Sequence, residues 1–344
     1  MIDYSSIRSV HLEISTRCNA SCPLCPRNLA GYDTDLGYPV HDMRLEEAQK
    51  IFSPQFLKQL DKILINGNFG DFVTAKDGLK IIQYFVEQNP KIEIEISTNA
   101  SAKPNMWSEL GKIPNVFVGF DIDGLKDTHS LYRRYTDWDL IISNAKKFIA
   151  AGGRAKWRMI QFYHNKHQVA ECKLMSEELG FVEFDMVYDG RDAGPVYDRD
   201  GKYAYTLGEN KLENPGNYPP KAETWAEWTA VGAQPSVRKK QYLEIKPKDS
   251  VDCYAKKNDE IYISATGQVY PCCWLGFYPN TPFKHAWQSD TFQIAEAINS
   301  NNNALEIGVE NAINWFKTIE NGWNLDSYAK GRLFICDQVC GKNN

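Results

Sequence analysis

The stretch Cys18-Asn19-Ala20-Ser21-Cys22-Pro23-Leu24-Cys25 places three cysteines at x3 and x2 spacing just past a short apolar run. Such spacing folds a loop around something metallic. A tetrahedral structural zinc takes four ligands, usually as two close pairs, and only three are local here. An iron-sulfur cube normally takes a cysteine at every iron. Three close thiolates therefore leave one iron open to a small molecule, which suits a reaction centre better than an electron wire. A zinc knuckle or a chance cluster is the competing interpretation, because a three-cysteine pattern alone gives false positives.

The rest of the chain supplies the context. Its 344 residues, 43% hydrophobic and 24% charged, are those of an ordinary globular protein able to bury a large core. The formal net charge of -5 argues against a broad nucleic-acid footprint. No apolar stretch approaches the length of a membrane span. Met1-Ile2-Asp3-Tyr4 lacks a basic region followed by an apolar run, so no secretory signal is expected. Nine cysteines in that setting point to reduced thiols serving metals in a cytoplasmic compartment.

Working outward, residues 7–14 alternate Val10, Leu12 and Ile14 with polar neighbours, as a strand does. The pattern then predicts a helix over 45–60 with a Ser53-Pro54 break, a strand over 62–65, a helix over 75–87 and a strand through Ile92, Ile94 and Ile96. A strand over 116–120 and a helix over 137–151 follow, the latter with Leu140, Ile141, Ala145, Phe148 and Ile149 on one face. Residues 155–162, 167–179 and 182–187 continue as strand, helix and strand, with Cys172 on the apolar face of that helix as a core thiol. Strands alternating with helices mean βαβ units and a parallel sheet. About six such repeats before residue 190 fit a partial (β/α)6 barrel of the TIM type, with its chemistry at the carboxyl ends of the strands.

Those ends carry the polar motifs. Asn66-Gly67-Asn68-Phe69-Gly70-Asp71 follows the second strand, with glycines that permit close backbone approach. Ser97-Thr98-Asn99-Ala100 closes the third, where small polar residues are also ordinary helix-cap chemistry. Asp121-Ile122-Asp123-Gly124, with His129 and Arg133 behind it, closes the fourth, and Arg158 lies on the fifth. Residues 190–250 lose the period and are rich in Pro, Gly and aromatics, as a substrate-covering segment would be. Beyond them stand Cys253, Cys272, Cys336 and Cys340, the first two flanking a hairpin with its turn at Gly267. Four thiolates there suit a fully ligated cube or a four-cysteine zinc site. Cys273 could stand in for Cys272.

Together these motifs resemble the radical S-adenosylmethionine (SAM) enzymes, whose signature is CxxxCxxC after the first strand of a partial barrel. The C-terminal cysteines resemble the Twitch module, a shortened relative of SPASM. The resemblance implies a catalytic 4Fe-4S cluster on Cys18, Cys22 and Cys25, with its open iron binding SAM, and an auxiliary 4Fe-4S cluster on the later cysteines. It implies SAM contacts from Gly70, Asp71, Asn99, Asp121 and Arg158. Leu24, Asp71, Phe72, Ala100 and Asp121 depart from the residues commonest in the family. The expected domains are a barrel over 1–189, a connecting segment over 190–250 and a small α+β module over 251–344. The expected substrate is a ribosomally made peptide or a small sugar alcohol or nucleotide. A one-electron reductant such as flavodoxin or ferredoxin is the implied partner. From position alone, Asp185, Asp189 and Asp192 are candidates for the general base. A non-catalytic iron-sulfur carrier or zinc scaffold is the alternative of another class.

Overall fold

A computed structural model describes residues 2–25, 27–28, 30–32, 39–103, 105–188, 194–208, 246–277, 294, 298 and 301–343. Six strands, β1 (Ser9–Leu12), β2 (Lys62–Ile65), β3 (Glu93–Thr98), β4 (Val116–Asp121), β5 (Arg154–Gln161) and β6 (Glu183–Tyr188), lie side by side in chain order. Every neighbouring pair among them is parallel. Between them run α1 (Leu45–Ile51), α2 (Pro54–Gln59), α3 (Gly78–Gln88), α4 (Met106–Gly111), α5 (Lys126–Tyr132), α6 (Trp138–Ala150) and α7 (Val169–Glu178). This is an open, partial (β/α)6 barrel.

Local chemistry explains the helix ends. Ser53 Oγ accepts from the Phe56 amide at 3.2 Å, and Pro54 supplies the preset φ of a first helical residue. Asp137 caps α6 through the Leu140 amide at 3.1 Å. The buried face of α6 holds Ile141, Ala145 and Phe148 as expected, with Ile142 and Asn144 in place of Leu140. The helix expected from residue 75 starts later, at Gly78, because Asp71 draws residues 72–74 into a separate 3-10 turn.

Alternation along each strand splits the sheet into two faces. Val10, Leu12, Ile63, Ile65, Ile94, Ile96, Val118, Phe120 and Trp157 are buried with Ile81, Ile82, Phe85, Ile141 and Phe148 of the helices in one core. Cys172 lies fully buried in that core, and burial pushes its thiol up to about 12. The intervening residues form an ionic ladder across the inner face. Lys62 meets Glu95 at 2.6 Å, Lys156 meets Glu183 at 3.1 Å, and Arg158 lies 3.6 Å from Glu95 and 3.7 Å from Asp185.

After β6 come β7 (Pro195–Tyr197) and β8 (Tyr203–Thr206), an antiparallel pair, then β9 (Ser250–Val251). The expected hairpin is present as β10 (Glu260–Ile263) and β11 (Val269–Tyr270). It is not detached from the barrel: β10 pairs in parallel with β1, so the main sheet runs β11-β10-β1-β2-β3-β4-β5-β6. β12 (Gly341–Lys342) pairs with β9. No helix among the described residues is long and apolar enough to cross a membrane.

Gly70 is where the loops after β1 and β2 touch. A Cβ there would stand 1.7 Å from the Ser15 carbonyl oxygen and 2.8 Å from that of Arg17. The Arg17 carbonyl is held in place, since the Asp71 amide donates to it at 2.8 Å. Gly70→Ala is expected to destabilise the metal-free protein by about 3 kcal/mol or more, read as a lowered midpoint in urea; a wild-type midpoint would show that these loops are free to separate.

Candidate active site and a C-terminal thiol cavity

The three cysteines lie in the loop that leaves β1 at the carboxyl edge of the sheet. The loop is held by its own polar atoms: the Cys25 amide and Asn28 Nδ2 both donate to Cys22 O, at 2.9 and 3.0 Å, and the Gly31 amide donates to Asn28 Oδ1 at 2.6 Å. The Cys18, Cys22 and Cys25 side chains join a small apolar cluster with Ala20, Tyr132, Phe162, Val196 and Leu207. Burial raises the Cys18 thiol well above its ordinary range, and Asp71, Cys22 and Cys25 add to that rise through their charge. Burial also pushes Cys22 up to about 12, against the pull of the Arg133 guanidinium, which hydrogen-bonds its sulfur.

Around this loop the strand ends form a connected polar rim. Asp71 accepts from Thr98 Oγ1 at 2.6 Å, the Asn99 amide at 2.8 Å and Asn99 Nδ2 at 2.9 Å. With the Val73 amide on it as well, its carboxylate is committed to holding the end of β3. Asn99 in turn reaches Asn19 Oδ1 at 3.0 Å and Cys18 Sγ at 3.6 Å. Gly70 donates its amide to Glu13 Oε1 at 3.0 Å. The glycine thus meets protein backbone and a protein carboxylate.

Asp121 stands 3.5 Å from Arg133, but its Oδ1 is buried without a hydrogen-bond partner. Burial raises its carboxyl above the ordinary range, opposed by Arg133 and Arg158. Arg158, beside it in register on β5, donates Nη1 to Ser97 Oγ at 2.6 Å and leaves Nε buried and unbonded. Asp185 lies on β6 at 3.7 Å from that Nε. Asp189 and Asp192 lie outside the described residues. Arg133, noted in the sequence only as part of a motif, is the side chain missed: it pairs with Asp123 at 2.6 Å and reaches Cys22. Its position seven residues after a helix start gave no signal that α5 folds it back over the cysteine loop.

The β7–β8 hairpin covers the loop. Tyr197 donates its amide to Ala30 O at 2.9 Å and its carbonyl accepts from Arg134 Nη1 at 2.5 Å. Tyr205 donates to Leu131 O at 2.7 Å, and Arg199 Nη2 donates to Asn19 O at 3.1 Å. Gly31 has φ +97°, and a Cβ there would lie 2.7 Å from Tyr197 O, so glycine is required beneath the hairpin.

A second cysteine group lines a cavity of about 350 Å³ between β1, β10 and the C-terminal helix Phe334–Cys340. Cys253, Cys272, Cys273, Cys336 and Cys340 all face it, with His11, Leu64, Leu275 and Ile335 among its other walls. Cys273 thus lies beside Cys272 rather than apart from it. Cys253 hydrogen-bonds Cys340, which pulls the Cys340 thiol down and pushes that of Cys253 up. Among the described residues no group of three or more His, Cys, Asp or Glu side chains converges on a single metal-ion position. A cube's irons stand apart from one another, so its ligands surround a volume; five thiols around one cavity have that form.

A buried ion pair sets the helix that carries Cys336 and Cys340. Arg332 bonds Asp337 at 2.6 Å and also donates to Lys248 O and Leu325 O, while Tyr328 donates to Asp337 at 2.9 Å.

No protein-family model matches the chain, and no curated protein matches it either. Solved structures do. Streptococcus suis SuiB bound to precursor peptide SuiA has 14% identity and a TM-score of 0.51, covering 88% of this chain and 63% of that one. SuiB bound to S-adenosylmethionine has 13% identity and a TM-score of 0.51, with 88% and 64% covered. SuiB alone has 15% identity and a TM-score of 0.50, again with 88% and 64% covered. The chain thus spans just under two thirds of SuiB, and at such identity the likeness is one of fold.

Replacing Arg332 with Leu leaves the Asp337 carboxylate buried without its cation. The expected cost is about 3 to 5 kcal/mol, measured by urea unfolding of the reduced, metal-free chain; a cost below about 1 kcal/mol would show that water or Lys248 replaces the guanidinium.

Proposed function

We propose that the chain is a radical SAM enzyme that modifies a ribosomally made peptide. The observation that carries this is the site of Cys18, Cys22 and Cys25: a buried loop at the carboxyl edge of an open parallel half-barrel, with no further cysteine before Cys172. The residues fit a cube held at three corners. Soft thiols are the donors iron-sulfur chemistry takes, and their burial disfavours thiolates until a positively charged centre is present.

When bound, the catalytic 4Fe-4S cluster and SAM would supply a 5′-deoxyadenosyl radical, the hydrogen-abstracting species of this chemistry. The chain's own work is to hold and orient. Asp71 fixes Thr98 and Asn99 beside Cys18, so Asn99 is presented to a nucleoside at a set height. The unbonded Asp121 Oδ1 and Arg158 Nε offer an acceptor and a donor of opposite charge, the pair an amino acid's ammonium and carboxylate require. Gly70 acts through the loop backbone. Asp185, 3.7 Å from Arg158, would take the substrate proton, with Asp189 as the second candidate. The β7–β8 hairpin keeps water from the cysteine loop.

The cavity lined by Cys253, Cys272, Cys273, Cys336 and Cys340 would hold the auxiliary 4Fe-4S cluster, with four of the five as ligands. When bound and fully ligated by these cysteines, such a cluster would supply an acceptor for the unpaired electron of the substrate radical. A flavodoxin or ferredoxin would deliver the first electron. The peptide substrate is supported by the fold shared with SuiB, a protein crystallised with a precursor peptide.

Anaerobic reconstitution tests this. About four irons per cube, two cubes per chain and reductant-dependent 5′-deoxyadenosine from SAM are expected. Changing Cys18, Cys22 and Cys25 together to Ser should abolish 5′-deoxyadenosine and remove about half the iron. Zinc in place of iron, or intact SAM after reduction, would instead make the chain a metal-stabilised scaffold.

A further inference from the structure

One buried carboxylate joins the loop after β2 to β10 and has no place in the chemistry above. Glu13 follows β1 by one residue and is 1% exposed. Its Oε1 accepts from the Phe69 amide at 2.7 Å and the Gly70 amide at 3.0 Å, and its Oε2 accepts from Tyr262 Oη at 2.8 Å. Phe69 and Gly70 belong to the loop after β2 at the barrel mouth. Tyr262 belongs to β10, the strand that joins the thiol cavity to the barrel. A buried carboxylate without such donors costs several kcal/mol, so the three contacts hold together or fail together.

Three further contacts tie the same loop to the cavity wall. Asn68 Nδ2 donates to the carbonyl of Cys273 at 2.9 Å. The Phe69 ring stacks on Phe277, with centroids 5.7 Å apart and planes 23° from parallel, at the far end of the short helix begun by Cys273. His11 Nε2 bonds Asn66 O at 2.6 Å; because a carbonyl only accepts, this nitrogen carries the proton, and the same imidazole lines the cavity. The loop after β2 is therefore held from two sides, by β1 through Glu13 and by the cysteine segment through Asn68 and Phe69.

We infer that Asn68 and Phe69 carry the state of the C-terminal thiol cavity to the Asn66–Asp71 loop while Glu13, a positioning residue, holds that loop from the other side, so that filling the cavity strengthens binding of SAM at the barrel mouth. This rests on the SAM-binding function proposed above. The route is short and made of packed groups: a filled cavity fixes residues 272–277, Cys273 O and Phe277 fix Asn68 and Phe69, and Glu13 locks their amides against Tyr262. A disordered cavity wall leaves Glu13 holding a loop whose other support is slack. Supporting residues of this kind alter ligand affinity by about tenfold when removed.

A double-mutant cycle on the anaerobically reconstituted full chain tests the linkage, reading the Kd for SAM by calorimetry and the iron content of each protein. Glu13→Gln keeps the volume and loses one acceptor; its Kd is expected to rise about tenfold with the iron of both centres retained. Cys336→Ser/Cys340→Ser, which empties the cavity, is expected to raise the Kd by a similar factor. Combined, the changes should be markedly less than multiplicative, as for two supports of one loop. Tyr262→Phe, which leaves the cysteines and the loop intact, should give a smaller rise in the same direction. Fully multiplicative shifts, or an unchanged Kd in Glu13→Gln, would overturn the linkage while leaving SAM binding in place. A wild-type chain that binds no SAM would overturn the functional proposal and this inference with it.

Discussion

A buried thiol ionises only where something positive repays its lost hydration, and that constraint governs this molecule. Eight of the nine cysteines lie in two groups, three in the loop after β1 and five around the C-terminal cavity. Burial pushes Cys22 up to about 12 and raises Cys18 and Cys272 well above their ordinary range. The protein offers little to offset this. Arg133 reaches Cys22, but its own charge is already shared between Asp123 and Asp121. These surroundings favour the neutral form of Cys18, Cys22 and Cys272 in the bare chain.

The periodic parts were legible for a physical reason. Val10, Leu12, Ile63, Ile65, Ile94 and Ile96 bury one face of a parallel sheet, and period-two burial is written directly in residue order. The cysteine spacing was equally local. Gly70 and Asp71 were legible as a loop following the second strand but not in their actual contacts, because Ser15 O and Thr98 Oγ1 are their partners across the sheet. No local pattern encodes which backbone will press on a glycine. Nor did anything local show that His129 and Arg133 turn back onto Asp123, closing that motif on itself with bonds of 3.1 and 2.6 Å.

The covering hairpin shows a different limit. Pro195-Val196-Tyr197 is too short for alternation to register, and its partner Tyr203-Ala204-Tyr205-Thr206 has no apolar face of its own. What stabilises the pair is Val196, fully buried against the cysteine cluster, with Tyr197 bonded to the cysteine loop at Ala30 and Tyr205 to α5 at Leu131. A two-stranded hairpin alone is marginal in water. This one exists because the cysteine loop provides its missing surface, so each depends on the other for burial.

The placement of β10 matters most for the relation between the two cysteine groups. A module on a tether would let the centres drift, whereas a site built on strands holds its geometry to fractions of an ångström. Here β1 is paired over four residues with β2 on one side and over four with β10 on the other. The strand that ends in the three-cysteine loop is thus also a wall of the five-cysteine cavity, through His11. Sliding β10 by one residue would turn Tyr262 away from Glu13 and carry Ile261 and Ile263 out of the core they fill to the opposite face of the sheet. Register therefore fixes the separation of the two groups as firmly as it fixes the core, and the open edge at β6 leaves the inner face accessible without loosening that spacing.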